Sequence, residues 1–342
     1  MKPKFLNETS KIYLVAPSFG CTTSPYNERL LKSIDTLKNK NIDVIIGDNV
    51  FKAIGKASSN TPINRAIEIH NAFKSDSDVV WSVGGGEVMV EILEHIDFEL
   101  IKENPKWFVG FSDNTNLTYT ISTICDIETI YGINAPNIHL MTYDSLDTWN
   151  MLYGKNEFKS YGKWQLNEIK ENPLSGYNLD KKSKMIITNY NEPITGRLIG
   201  GCIDCLSTIC GTKFDNTVNY CNKHKDEGII FFLEACDLTS IGLRRVLFQL
   251  KNAGWFNYTK AFIFGRCYNF FDESFGITHT ESIIDILGDL NVPIIMNADL
   301  GHLGPSLPIR CGALGTVKID KNKLIIKYKN EDYVVYPTNW TN

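Results

Sequence analysis

The sequence has no apolar run approaching the ~18 residues that a membrane span needs, and its opening stretch, Met1 to Ser10, is polar where a secretion signal is apolar. These absences predict a cytoplasmic protein that does not engage a membrane. Blocks of like charge are missing as well: 35 Lys and Arg against 39 Asp and Glu leave a net charge of −4 dispersed along the chain. Binding to nucleic acid by charge is not expected. Cysteine is present but unpatterned. Nine is an odd number, and most lie inside apolar stretches, which fits reduced thiols better than a disulfide framework. Only Cys202-x-x-Cys205 has zinc spacing; Cys210 and Cys221 do not repeat it, and Ile203, Leu206 and Ile209 mark a buried helix, so no metal is expected. Gly84-Gly85-Gly86 lacks the GxGxxG and GxxxxGK[ST] spacings that cradle phosphates, and no cofactor is expected either.

What is there is an ordinary globular composition, 43% hydrophobic and 22% charged over 342 residues, a length that favours two domains. Buried strands are predicted at Lys11–Ala16, Asn41–Ile46, Asp78–Val83, Trp107–Val109 and Glu128–Tyr131. Helices alternate with them. Glu28–Lys38 carries Leu30, Leu31, Ile34 and Leu37 inward; Pro62–Lys74 is opened by Thr61, with Ile63, Ile67 and Phe73 among its apolar positions; Asn116–Ile124 follows the fourth strand. The alternation predicts a doubly wound parallel sheet with its site at the carboxyl ends of the strands. From 143 to 192 the chain turns polar, with Trp149 and Trp164 as isolated aromatics, and reads as a linker or insertion loop. A second region, 193–342, holds strands at Gly228–Leu233, Ala261–Phe264 and Val292–Met296, with helices between them and short alternating strands at its end.

Three residues stand at strand ends with the chemistry of acyl transfer. Ser112 sits at the corner Gly110-Phe111-Ser112-Asp113 between a buried strand and a helix, where a hydroxyl projects and free N–H groups gather. The second glycine of a G-x-S-x-G elbow is replaced by Asn114, and alone such a corner is more often a helix N-cap than a nucleophile. Glu234 ends an apolar strand, where a carboxylate has to be paired or hydrogen-bonded; it reads as catalytic or as a cap, with Asp237 the better cap of the helix near Thr239. His302 alone of the six histidines lies in a glycine- and proline-fixed loop past a buried strand. A serine needs an imidazole to take its proton, and the imidazole needs a carboxylate to fix its tautomer. The N–H groups of Gly86 and Asp113 are the candidate oxyanion donors, although the glycine run also reads as a tight turn.

Gly84-Gly85-Gly86, Gly110-Phe111-Ser112-Asp113, Gly200-Gly201, Leu233-Glu234 and Gly301-His302 with Pro308 and Gly312 together resemble the serine LD-carboxypeptidases and the microcin C self-immunity peptidases. The resemblance covers nearly the whole chain. It implies a Ser112–Glu234–His302 triad, a Rossmann-like N-terminal domain (1–142) with the nucleophile, an insertion (143–192), a smaller strand-rich C-terminal α/β domain (193–342) with the glutamate and histidine, and a homodimer. It further implies metal-free hydrolysis of a small-molecule peptide or peptidyl-nucleotide. The chain departs from the family at Ala235-Cys236 and at Cys202, where an acidic residue and an asparagine are common. The long insertion favours the branch that cleaves aminoacyl-nucleotide amides, with Trp164 stacking on the base; removal of a terminal D-amino acid from a muropeptide is the alternative. Gly85, Trp164, Arg197 and Arg310 are the candidate substrate contacts, with loop anchoring for Trp164 and salt bridges for the arginines as competing roles. Two other classes stay open, a non-catalytic binding protein and an esterase of the α/β-hydrolase kind.

Overall fold

The computed structural model describes residues 1–329 apart from 170, 171 and 272, so the expected C-terminal region runs past the described residues at 330–342. The first part contains β1 (Lys11–Val15), α1 (Tyr26–Asn39), β2 (Asp43–Ile46), α2 (Pro62–Lys74), β3 (Val79–Ser82), α3 (Phe98–Glu103), β4 (Trp107–Gly110), α4 (Thr115–Cys125) and β5 (Thr129–Tyr131). Next come α5 (Tyr143–Leu152), β6 (Glu157–Lys159), β7 (Lys163–Trp164), β8 (Lys181–Lys182) and β9 (Ile186–Thr188). The chain continues with β10 (Ile194–Cys202), α6 (Ile203–Ile209), α7 (Thr217–Lys223), β11 (Ile229–Glu234), α8 (Ser240–Asn252), β12 (Thr259–Gly265), α9 (His279–Leu287) and β13 (Ile294–Ala298). It finishes with β14 (Ile309–Cys311), β15 (Leu314–Asp320) and β16 (Lys323–Tyr328).

Two large sheets result. The first has the order β14-β5-β4-β3-β1-β2, parallel except for β14. Its order reverses between β1 and β3, the switch point at which doubly wound sheets open a crevice for ligands. The second has the order β6-β16-β15-β10-β11-β12-β13-β9, with a parallel centre from β10 to β13 and antiparallel flanks. This is the expected α/β class, a parallel-sheet domain with a second strand-rich one. Among the described residues no helix is long and apolar enough to cross a membrane.

The helices form where periodicity and caps place them, with local corrections. Thr61 accepts from the Asn64 N–H and Pro62 takes the first position of α2, as the sequence predicts. Its inward stripe is Ala66, Ile69, Ala72 and Phe73, however, and Ile63 and Ile67 face solvent. On α1, Leu30, Ile34 and Leu37 are buried but Leu31, one residue round the helix from Leu30, is 50% exposed. Thr239, not Asp237, caps α8 through the Gly242 N–H. Gly200-Gly201, which in sequence resembles a glycine turn after a strand and before the helix from Cys202, lies instead inside β10, where a Cβ at Gly200 would come 1.7 Å from the Phe232 carbonyl oxygen. The stretch read as a linker loop carries α5, whose Trp149 is buried and stacks on Trp81 at 6.4 Å, and it contributes both edge strands, β6 and β9, to the second sheet.

Candidate active site

Ser112 follows β4 and sits in the left-handed region at φ 65°, the sharp corner that lifts its side chain above the strand ends. Asn114 occupies the place of the missing elbow glycine and gives it a use. Its amide donates to the carbonyls of Gly84 and Phe111, both at 2.9 Å, and to Asn134 at 3.2 Å, tying the corner to the neighbouring loops. Gly110 is glycine because of it: a Cβ there would lie 2.5 Å from Asn114 Cγ.

β11 delivers Glu234, 1% exposed, and the loop after β13 delivers His302. His302 Nδ1 lies 2.8 Å from Glu234 Oε2, and Nε2 lies 2.9 Å from Ser112 Oγ. Burial favours the neutral form of Glu234, but the charge of the imidazole and the hydrogen bonds from His302, Tyr131 and the Cys202 thiol outweigh it and hold the carboxyl below its ordinary range. On His302 burial again opposes charge, and the facing Glu234 carboxylate raises the imidazole well above its usual value. An ionised Glu234 can only accept, so Nδ1 carries the proton and Nε2 turns its lone pair toward the serine hydroxyl. Gly301, at φ 102°, admits this approach, because a Cβ there would stand 2.9 Å from Glu234 Oε2.

Several residues that hold this chain in place carry no motif. Tyr131 donates to Glu234 Oε1 at 2.6 Å and accepts the Ser112 N–H at 3.2 Å; burial pushes its hydroxyl well above the ordinary range, so it stays a donor. Its place as the last residue of the strand beside β4 was the signal available. Asp204 gathers the N–H groups of Cys236, Asp237 and Leu238 at 3.0 to 3.1 Å and so fixes the turn after Glu234. Asp113 is buried and takes the Ser18 hydroxyl at 2.6 Å and the Met89 N–H at 2.9 Å, joining the loops after β1 and β3 to the serine corner.

The chain of side chains opens into a cleft of about 800 Å³ at the switch point, lined among others by Phe19, Tyr26, Arg29, Gly84, Gly85, Gly86, Ser112, Asp144, Tyr177, Cys236 and His302. Gly85 touches the serine directly, since a Cβ there would lie 3.1 Å from Ser112 Cβ, and Gly86 packs on Ser18 with φ 152°. The other three candidate contacts are elsewhere. Trp164 is 9% exposed, has the Arg266 guanidinium over its ring at 4.9 Å and donates to the Lys182 carbonyl, which are the bonds of a wall anchor. Arg197 pairs with Glu227 and with the Gly312 carbonyl, and Arg310 is buried against Glu128, Phe5, Trp107 and Tyr328. None of the three is among the described residues lining the cleft. Among the described residues no group of three or more His, Cys, Asp or Glu is placed to hold a metal ion.

Comparison with known proteins identifies the family. Residues 12–132 match the family described as LD-carboxypeptidase N-terminal domain, and 195–317 match LD-carboxypeptidase C-terminal domain. A probable murein peptide carboxypeptidase of Bacillus subtilis is 23% identical over 95% of this chain and 94% of its own. The microcin C7 self-immunity protein MccF of Escherichia coli is 24% identical over 87% and 88%. In fold, MccF in complex with aspartyl sulfamoyl adenosine superposes with a TM-score of 0.82 at 21% identity over 96% of this chain and 99% of that one. A muramoyltetrapeptide carboxypeptidase from Oxalobacter formigenes gives 0.69 at 18% identity, over 94% and 99%.

Proposed function

Because the chain belongs to the LD-carboxypeptidase family and is thereby a serine hydrolase, we propose that Ser112, His302 and Glu234 are its catalytic triad and that it hydrolyses an amide bond in a small aminoacyl-nucleotide. The observation that carries this reading is the unbroken hydrogen-bond chain from Glu234 through His302 to Ser112 at the floor of a ligand-sized cleft. In the reaction His302 Nε2 takes the Ser112 proton as Oγ bonds to the scissile carbonyl carbon, and Glu234 stabilises the imidazolium that forms. The N–H groups of Gly86 and Asp113 receive the developing oxyanion. His302 then hands its proton to the leaving nitrogen as the amide bond breaks, and water repeats the sequence to free the acid and restore the serine. Gly85 lets the substrate backbone reach the nucleophile without a side chain in the way.

The nucleotide reading is supported by the likeness in fold to MccF and by the aromatic side chains in the cleft, Phe19, Tyr26 and Tyr177, which replace Trp164 as candidates to stack on a base. The muropeptide reading keeps its place because the murein peptide carboxypeptidase matches along nearly the whole chain. Mass spectrometry of two substrates, an aminoacyl sulfamoyl adenosine and a muropeptide ending in D-alanine, separates them. Cleavage of the adenylate alone supports the first reading and cleavage of the muropeptide alone replaces it. Ser112→Ala is expected to lose at least about 10³-fold in kcat while keeping its fold, and an unchanged rate removes Ser112 as nucleophile. The same proposal has the enzyme act in the cytoplasm as a homodimer, and light scattering on the purified chain tests the dimer.

A further inference from the structure

Asp144 is the most enclosed acid lining the cleft outside the triad. It stands in the first turn of α5, is 2% exposed, and makes no ion pair among the described residues. Its carboxylate faces donors from three places. Oδ2 accepts the Tyr177 hydroxyl at 2.6 Å and the Ser306 N–H at 2.9 Å, while Oδ1 accepts the Ser145 N–H at 2.9 Å. Ser306 closes the loop that bears the imidazole, because its Oγ accepts the N–H of Gly301 at 3.0 Å. Tyr177 presses on the middle of that loop, so close that a Cβ at Gly304 would lie 2.7 Å from its ring. The Gly304 carbonyl is itself bonded by the Gln165 N–H at 2.9 Å. One carboxylate thus joins α5, the cleft wall that carries Tyr177, and the 301–306 loop.

We propose that Asp144 is a positioning residue for His302: its ionised carboxylate fixes the 301–306 loop so that Nε2 meets Ser112 Oγ. The inference rests on the triad reading above. The Ser306 and Ser145 N–H groups can only donate, one to each carboxylate oxygen, and the Tyr177 hydroxyl donates to the oxygen that Ser306 shares. Replacing Asp144 with asparagine turns one acceptor into a donor that meets a backbone N–H, and protonating it turns the Tyr177 hydroxyl away and weakens the bond to the Ser306 N–H. Whichever way an amide is turned, its NH₂ faces Ser145 on one side or Ser306 and Tyr177 on the other. The loop then shifts, and proton transfer is sensitive to shifts of this size: a displacement of about 1 Å is enough for a hundredfold loss.

The surroundings make the acid titrate within reach of ordinary assays. Burial, opposed by the bonds from Tyr177, Ser306 and Ser145, pushes the carboxyl up to about 6. The other titratable groups around it are Asp147 on α5, which pushes it further up, Tyr161 and Tyr177 on the wall, and Arg29 and Glu168 acting on Tyr177 from beyond. On the loop side the titratable group is His302. Activity therefore falls through two protonations as pH drops, first at His302, which must be neutral to act as base, and then at Asp144 near pH 6.

The test compares wild type, Asp144→Asn, Tyr177→Phe and Ser112→Ala on whichever of the two substrates is cleaved, with thermal melts to establish folding. Wild type is expected to show a slope in log(kcat/KM) against pH that steepens from 1 toward 2 below about pH 6. Asp144→Asn is expected to lose about 10- to 100-fold in kcat, with a much smaller change in KM and a slope of 1 throughout. Tyr177→Phe removes a bond that favours the ionised form, so its second break moves above pH 6; this variant carries the test where Asp144→Asn does not fold. A folded Asp144→Asn with wild-type kcat and a steep acid limb overturns the inference, as does a raised KM with kcat unchanged, which would make Asp144 a substrate contact. Failure of the triad reading is read separately, as retained turnover in Ser112→Ala.

Discussion

At the scale of single residues, the His302–Glu234 pair sets opposite pH trends for activity and stability. The imidazole is raised and the carboxyl lowered in the folded state, from ordinary values of 6.5 and 4.5. The stability that His302 contributes is complete below pH 6.5 and is lost as pH rises through its folded value; that of Glu234 is complete above 4.5 and is lost as pH falls. The pair therefore stabilises most between those limits, while kcat/KM keeps rising with pH above them as the imidazole becomes a free base. Glu234→Gln removes the charge that raises His302. Its acid limb is expected to move to lower pH and its kcat to drop by about 10⁴-fold, measured as a pH–rate profile beside a pH series of melting temperatures. An acid limb that stays in place would mean that Glu234 does not set the imidazole. That Ser112, Glu234 and His302 meet was legible in the sequence because Glu234 ends its strand and the other two lie in the loops just past theirs. Tyr131, Asn114, Asp204 and Asp144 were not, because their roles depend on which loops the fold brings together. Trp164, Arg197 and Arg310 lie outside the cleft lining for the converse reason: large aromatic and guanidinium groups satisfy packing and ion pairs as readily as they bind ligands.

At the scale of elements, the paired glycines show how a motif can be visible while its reason is hidden. In sequence Gly200-Gly201 looks like the turn between strand and helix. In the structure both lie in β10, where neighbouring strands and the Thr115 side chain leave no room for a Cβ at either position. Gly200→Ala is expected to destabilise by about 3 kcal/mol, since the atom it would strike is backbone of the adjacent strand and its own φ of 150° adds backbone strain. Gly162→Ala, at φ 79° with nothing within 4 Å of its Cβ, meets only the left-handed strain of about 1–2 kcal/mol. Both positions carry positive-φ strain, so in chemical denaturation the excess loss at Gly200 reports the close approach, and equal losses would refute it. The strands and most helices were readable because burial on both faces writes continuous apolar runs and one-sided burial writes a 3.6-residue stripe. α5 escaped notice because its polar N-terminal half and the surrounding Lys, Asn and Gly mask Trp149, Met151 and Leu152, which are buried.

At the scale of the whole molecule, the two sheets are separate but the chain crosses between them more often than a simple division into 1–142, 143–192 and 193–342 implies. β14 leaves the later region to pair with β5 as the edge of the first sheet, through Ile309–Tyr131, Arg310–Ile130 and Cys311–Thr129. With it comes Arg310, whose guanidinium is buried over Phe5, Trp107 and Tyr328 and bonded to Glu128. A fragment ending at 192 would expose β5 as an unpaired edge and leave Glu128 and two aromatic faces without the cation between them. It would also lack Glu234 and the 301–306 loop, so the serine corner would lose the partner of Tyr131. Fragment 1–192 expressed alone is therefore expected to aggregate or to melt without a cooperative transition. Mixing it with 193–342 during refolding is expected to recover a single transition together with turnover. Were fragment 1–192 to unfold cooperatively on its own, the first sheet would be an independent folding unit and β14 an accessory strand. The proposed triad would still require both parts, since Ser112 comes from one and Glu234 and His302 from the other, and the candidate site would form only as the two sheets close on one another.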